Sequence, residues 1–351
     1  MQEVINSITK IRSKAIPVVA ALVFTSLIIL MTGNNPLEVF ISIGRGATMS
    51  QSKLADILVA FIPLMLVTGG VVITFTAGLW NIGVEGQIIL GAIGSIWVIR
   101  LLEFSSMPVP FIILMAVLAG GLGGAIWAGL AAALKHFSGV SEIFAGLGLN
   151  YIASAITNWL IFGPWKRPGV ASMSGTVPFD NHLWLPTLPG LRISVWAMVV
   201  LCLIIVLVYV MLKKTMFGLR VKAVGLNASA SMHQGISSRR VVFSAFLTCG
   251  AIAGLTGAYL VLGVFHRLIP AISSGYGFLG LMIGMLVNYQ VIAAIPVALF
   301  FAGLNIGSIP LPLDFRLDST LSGVIQSSLV LFFLLAGKFT RNKTKSFEDS
   351  Q

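Results

Sequence analysis

Charge is what this chain has least of. Asp, Glu, Lys and Arg make up 9% of its 351 residues, against roughly 25% in an ordinary soluble domain. Hydrophobic residues make up 57%. That balance excludes a soluble globular protein and predicts an all-α polytopic membrane protein. Acids are scarcer than bases, 11 against 22, and the bases fall in short clusters between apolar runs. Such clusters act as orientation signals, and no basic, aromatic-interleaved domain is present to hold nucleic acid. The only two cysteines, Cys202 and Cys249, sit inside apolar runs at no ligand spacing and read as small hydrophobic residues. His136, His182, His233 and His266 are scattered over loops without an H-E-x-x-H pair, so no metal site is expected. A G-x-x-x-x-G-K-[ST] loop is missing too, as is any catalytic constellation. The chain therefore reads as neither an ATPase nor any other enzyme, with no cofactor to bind.

What is there is a series of apolar runs. The first, 15–31, follows Lys10, Arg12 and Lys14. It is long enough to span and ends at Thr32-Gly33-Asn34-Asn35-Pro36 without a small-x-small cleavage site, so it reads as a retained first transmembrane helix. Residues 34–56 read as an interfacial segment with balanced charges. Further spans are expected near 57–79, 87–98, 109–134, 143–162, 193–212, 241–265, 276–288, 291–306 and 321–336. Pro63 and the Gly69-Gly70 pair predict a kink or break in the second. Placing each basic cluster inside requires about ten spans, with both termini cytoplasmic. The halves 15–162 and 193–337 then run in opposite orientation, an inverted repeat of five plus five. Between them lies an external loop, 163–192, carrying Pro164, Pro168, Pro178 and Pro186. The segment 215–240 holds Arg220, Lys222, Arg239 and Arg240 and no acid, which makes it the main cytoplasmic loop.

Residues 75–91, FTAGLWNIGVEGQIILG, are the centre of the chain. Glu85 lies there between long apolar runs, flanked by Asn81 and Gln87 and spaced by Gly78, Gly83 and Gly86. A carboxylate at membrane depth is costly and marks function by default, and glycine-broken backbone is tolerated there only when buried in protein or lining a cavity. The plainer reading is an interfacial turn with Glu85 in solvent. No second intramembrane acid or relay accompanies Glu85. Its expected role is therefore structural, accepting hydrogen bonds from backbone N–H groups freed by a broken helix. Gly120-Gly121 with Gly123-Gly124, and Gly250-x-x-x-Gly254 with Gly257, are small-residue faces suited to close helix packing. In the basic loop, Asn227 is placed to cap a short helix running to Gln234, with Gly235 at its stop. That helix either docks a cytoplasmic partner or rests on the membrane surface.

The run GLWNIGVEGQIILGA resembles the NIG-x-EGQ signature of permease subunits of ATP-binding-cassette importers, in their ribose, simple-sugar and nucleoside branch. Ser141-Glu142 with LGLNYIA, then FGPWKRPG, TMFGLRVKAVGLNASASMHQGI, GAIAGLTGAYLVLG and SSGYGFLGLMIGML agree with that family in order. The loop departs at Asn-Ala-Ser-Ala-Ser, where relatives favour Asn-Pro-x-Ala-Ala. The NIG-x-EGQ form with GPWKRPG is most similar to the nucleoside and simple-sugar permeases. The resemblance implies a permease working with ABC ATPase subunits, a second permease or a copy of itself, and a periplasmic or lipid-anchored solute-binding protein. It places the chain in a bacterial or archaeal plasma membrane, in contact with lipid. Asn227, Ala228, Ala230, Met232, His233 and Gly235 would dock into the ATPase. Nucleosides and sugars present hydroxyls, so Asn81, Gln87, Asn150 and Asn158 are candidate pathway contacts beside Glu85. Phe75, Trp80 and Tyr276 are candidates to stack on a base or sugar face, the alternative being that they pack or face lipid. A nucleoside is the expected solute, a simple sugar such as ribose or galactose the alternative. A self-contained secondary carrier or channel is the alternative of another class.

Overall fold

The computed structural model describes residues 2–169 and 175–348, with side chains for 16–169 and 175–336. Residues 170–174 of the expected external loop, and the chain's first and last residues, lie outside the described residues. So do the side chains of Lys10, Arg12, Lys14, Lys338, Arg341, Lys343 and Lys345, on which the orientation of the two ends rests.

The described residues are helical, with no strand among them. The first half comprises α1 (Gln2–Met31), α2 (Pro36–Thr48), α3 (Gln51–Thr76), α4 (Val84–Leu102), α5 (Val109–Phe137) and α6 (Glu142–Phe162). After the loop come α7 (Val195–Lys214), α8 (Met216–Leu226), α9 (Ala228–His233) and α10 (Ser238–Tyr259). A π-helical segment, Leu260–Phe265, prolongs α10. The chain then forms α11 (Tyr276–Leu286), α12 (Val291–Gly307), α13 (Leu311–Asp314) and α14 (Leu321–Glu348). Seven of these stretches are long and apolar enough to cross a membrane: α3, α4, α5, α6, α7, α10 with its π-helical end, and α12 with α13. Ile16–Met31 and Pro36–Thr48 pass the same test together but bend by 108° at Thr32–Asn35. Tyr276–Leu286 and Leu321–Ala336 are shorter apolar helices. This is a polytopic membrane protein.

Two compact units divide the chain, Met1–Ile57 with Leu299–Gln351, and Leu58–Ala298. In the first, α1 packs along α14, with Phe24 edge-on to Phe332 at 6.0 Å. Gln326 is fully buried there and donates to Phe301 O and Asn305 Oδ1, both at 3.0 Å. The second unit is built on glycine. Gly124 faces the backbone of Gly250 and Gly254 so closely that a methyl would overlap it, and Gly254 stands in the same way on the Gly120 carbonyl. Gly91 and Gly257 bring α4 against α10 by the same means. Helices in lipid gain nothing from hiding apolar surface, so backbone approach through small residues is what holds them together. The two glycine faces read from the sequence are these contacts. The loop residues 175–185 pair with the segment after α10, Thr176 N donating to Leu268 O at 2.9 Å and Leu185 N to Leu262 O at 3.0 Å. Trp184 stacks flat on His266 at 3.7 Å.

The expected break in the second span is absent. α3 runs unbroken through Pro63, Gly69 and Gly70. Proline has no N–H and so strands the carbonyl four residues earlier, here Val59. The Tyr259 hydroxyl of α10 donates to Val59 O at 3.2 Å, a substitute for the missing bond. Gly70 lies against the Cys249 carbonyl, 3.2 Å from where its Cβ would be, so this glycine serves the packing of α3 on α10. We expect Tyr259→Phe to cost about 1–3 kcal/mol by leaving a buried acceptor unpaired, and to cost far less in a Pro63→Ala background that restores the native donor. A double-mutant cycle by reversible unfolding in mixed micelles measures the difference; equal costs in both backgrounds would detach the hydroxyl from that carbonyl.

Candidate functional site

The site forms where the chain leaves α3 and enters α4. Gly78 adopts φ +74°, with Gly78 N donating to Phe75 O at 2.9 Å and Leu79 N to Thr74 O at 3.0 Å. This is a Schellman closure, which needs a residue in the left-handed region just past the helix and finds it in glycine. The next residues turn back alongside α3. Asn81 Nδ2 donates to Cys249 Sγ at 3.1 Å, and Cys249 is the residue on which Gly70 packs. Asn81 therefore reaches the side of α3 that carries Gly70 and Thr74. The segment between α3 and α4 is re-entrant in the sense that it folds back toward α3.

Three amides close this re-entrant backbone. Asn81 and Gln87 pair reciprocally, Asn81 Nδ2 donating to Gln87 Oε1 at 3.2 Å and Gln87 Nε2 to Asn81 Oδ1 at 3.0 Å. From α6, Asn150 reaches across and does two things. Its Nδ2 donates to the Ile82 carbonyl at 2.9 Å, and its Oδ1 accepts from Gly86 N at 2.8 Å. Gly86 N is one of the first-turn donors that α4 cannot satisfy internally, so Asn150 caps α4 from another helix. Gly86 has to be glycine for this approach, since a Cβ there would stand 2.9 Å from Asn150 Oδ1.

Glu85 is 7% exposed and belongs to no ion pair among the described residues. Its buried Oε2 has no hydrogen-bond partner among the described residues, while its Oε1 accepts from Gly275 N at 3.0 Å, with Ser273, Gly277 and Phe278 beside the carboxylate. These belong to the start of α11, where the helix dipole and unpaired N–H groups favour an anion. Gly275 itself lies at φ +74°. Any side chain at Gly277 would collide with Glu85. The carboxylate thus joins the beginnings of two helices, α4 and α11, and does not face solvent.

Of the other pathway candidates, Phe75 is buried and Trp80 is 40% exposed. Their rings meet edge-on at 5.4 Å, and Tyr289 lies 5.0 Å from Phe75 on the other side. Tyr276 is half-buried at the first residue of α11. Asn158 is exposed on α6 and stands two turns from Asn150, apart from the cluster. Asn81, Gln87 and Asn150 are buried and spend their hydrogen bonds on protein. Tyr259, Ser273, Gly275 and Tyr289 belong to the site and have no local sequence signal, while Cys249 reads in the sequence only as a small hydrophobic residue. Pro63 was the available signal for Tyr259, because its stranded carbonyl demands a donor.

The six loop residues come together on one short element. Asn227 Oδ1 caps α9 by accepting from Ala230 N at 3.0 Å. Gly235, at φ +79°, ends it, with Gly235 N donating to Met232 O and Ile236 N to Ser231 O, both at 3.0 Å. Ala228, Ala230, Met232 and His233 are exposed. One contact ties this element to the re-entrant segment. At the end of α8, Gly225 lies on the backbone of Thr76, Ala77 and Gly78, and a Cβ on Gly78 would stand 3.3 Å from Gly225 O. Nearby, Lys135 at the end of α5 pairs with Glu142 at the start of α6.

Replacing Glu85 by Gln sets an amide NH2 against the N–H groups at the start of α11, and we expect a loss of about 1.5–3 kcal/mol. Glu38→Gln, at an exposed position on α2, should leave stability unchanged in the same unfolding assay. Equal behaviour of the two variants would make Glu85 an ordinary interfacial acid.

A family described as "Branched-chain amino acid transport system / permease component" matches residues 53–334. The chain is similar to the glucose ABC transporter permease protein TsgB13 of Haloferax volcanii, at 30% identity over 92% of this chain and 87% of that protein. It is similar to the guanosine ABC transporter permease protein NupP of Bacillus subtilis, at 26% identity over 90% of this chain and 91% of that one. The nucleoside ABC transporter permease protein NupB of Lactococcus lactis is 26% identical over 86% of this chain and 85% of its own length.

Proposed function

Because the chain belongs to the branched-chain amino acid transport system / permease component family, whose members are transport subunits and not enzymes, we propose that it is the membrane subunit of an ATP-driven importer for nucleosides. ATP is hydrolysed on a partner ATPase, and a solute-binding protein delivers the solute to the outer face. A second permease, identical or homologous, completes the pathway. The chain lies in the plasma membrane of a bacterium or archaeon, with both termini and the 215–240 segment in the cytoplasm. Ten spans make up the fold when the bent pair α1–α2, α11 and α14 are counted with the seven longer stretches. The third and eighth, α4 and α11, are equivalent members of an inverted repeat. In support, each follows an irregular segment and the two meet at Glu85, as the broken helices of transporters do.

The observation that carries the coupling is the backbone contact of Gly225 with residues 76–78. α9 is the docking element for the ATPase, through Asn227, Ala228, Ala230, Met232, His233 and Gly235. Movement of that element passes through α8 and Gly225 into the re-entrant segment, because close-packed backbones shift together and do not compress. Asn81, Gln87, Glu85 and Asn150 hold the wall of the pathway in one geometry. Trp80, Asn158 and Tyr276, with Phe75 supporting Trp80, present surface to the passing solute.

Nucleosides are favoured by the names of two relatives that align along most of the chain. A hexose is the second reading, favoured by the 30% identity to a glucose permease. The discriminating experiment is uptake of radiolabelled guanosine and glucose by the whole importer, reconstituted with its ATPase and binding protein. We expect guanosine to accumulate and unlabelled glucose not to compete; accumulation of glucose untouched by nucleosides would reverse the choice. In that system, Met232→Glu and Gly225→Leu should each cut transport at least about tenfold, equivalent to ~1.4 kcal/mol of lost coupling, while ATP hydrolysis and membrane insertion persist. Unchanged transport in both variants would place docking and transmission elsewhere.

A further inference from the structure

A cavity of about 640 Å³ opens at the end of α7, between that helix, the end of α3 at Phe75 and Thr76, α8 and the turn from α11 to α12. Its polar lining includes Lys213, Lys222, Asn288 and Gln290, and its apolar wall includes Leu212, Val291 and Ile292. No acid lines it, and neither lysine belongs to an ion pair among the described residues. The turn on its far side holds two consecutive non-glycine residues in the left-handed region, Asn288 at φ 48° and Tyr289 at φ 63°. Such strain persists where the surrounding structure over-determines it.

Position decides what would occupy this cavity. α7 is a membrane span whose apolar run stops at Lys213-Lys214, so the cavity sits at the level where lipid headgroups begin. Ile292 is 55% exposed beside it, as a residue covered by acyl chains would be. A basic recess between spans at headgroup depth suits an anionic lipid, with its phosphate between the lysines and its glycerol hydroxyls toward amides. We propose that this cavity binds the headgroup of an anionic phospholipid, of the phosphatidylglycerol type. A neutral solute in transit leaves two unpaired cations unexplained. An acidic segment of the ATPase leaves the adjoining lipid-level apolar surface unexplained. The cavity borders the candidate functional site, since Phe75, Thr76, Gly225 and Tyr289 also line it, and its lipid reading rests on α7 crossing the membrane.

The test uses the full-length chain in phosphatidylcholine nanodiscs doped with phosphatidylglycerol, with retained lipid counted by native mass spectrometry. Each lysine near an anionic lipid contributes a modest preference, so wild type should retain phosphatidylglycerol over phosphatidylcholine by about thirtyfold, equivalent to ~2 kcal/mol. Lys213→Gln with Lys222→Gln should abolish the preference without shifting the thermal midpoint. Lys213→Arg with Lys222→Arg should keep it, as should the remote pair Lys166→Gln with Arg167→Gln. Equal retention of the two lipids by wild type would overturn the proposal. So would full competition by soluble glycerol phosphate, which would make the site one for a free phosphate ester, or displacement of the lipid when the ATPase binds, which would give the cavity to the partner.

Discussion

A backbone that leaves its helix inside a membrane has no water to turn to, and each N–H or C=O set free there must find a partner within the protein or cost several kcal/mol. Much of this chain's architecture answers that constraint. Pro63 frees the Val59 carbonyl, and Tyr259 supplies a hydroxyl. The re-entrant segment after α3 frees the Ile82 carbonyl and the Gly86 N–H, and one amide, Asn150, serves both. The start of α11 gathers unpaired donors, and Glu85 brings an anion to them. In each case a polar side chain from one helix repairs the backbone of another. The buried polar residues of the second unit therefore act as fasteners between elements.

Glycine supplies the complementary half of the design. Hydrophobic burial does not drive helices together in lipid, so close approach has to. α4, α5 and α10 meet through glycines whose backbones touch. The same device at Gly225 and Gly78 joins the exposed α8–α9 element to the re-entrant segment. A contact of this kind has no soft side chain to absorb displacement. It suits the transmission of a movement that begins outside the membrane and has to arrive at a wall within it.

Much of this was legible in the sequence and some was not, for physical reasons. Composition and long apolar runs identify a polytopic helical protein because lipid permits few alternatives. The Asn227 cap and Gly235 stop could be read because capping is a local matter, decided within a few residues. The glycine faces were visible because helical spacing is fixed. The break allowed for at Pro63 does not occur, because a proline's effect depends on who supplies the missing donor, and Tyr259 is far away in the chain. Asn81, Gln87 and Asn150 likewise find their partners on other segments of the chain. Sequence shows a polar residue in an apolar setting but not whether its hydrogen bonds are already spent. Glu85 was recognisable as exceptional, while its partner, the start of α11, was not, since nothing local pairs residue 85 with Gly275.

If the α8–α9 element and the re-entrant segment move as one body through the Gly225 contact, docking of the ATPase changes both at once. Amide hydrogen exchange, followed in the free permease and in its complex with the ATPase held by a non-hydrolysable ATP analogue, tests it most directly. Protection is expected to change together at residues 225–236 and at 76–86, while residues 262–268 stay as they were. A change confined to 225–236, with 76–86 unaltered, would contradict it.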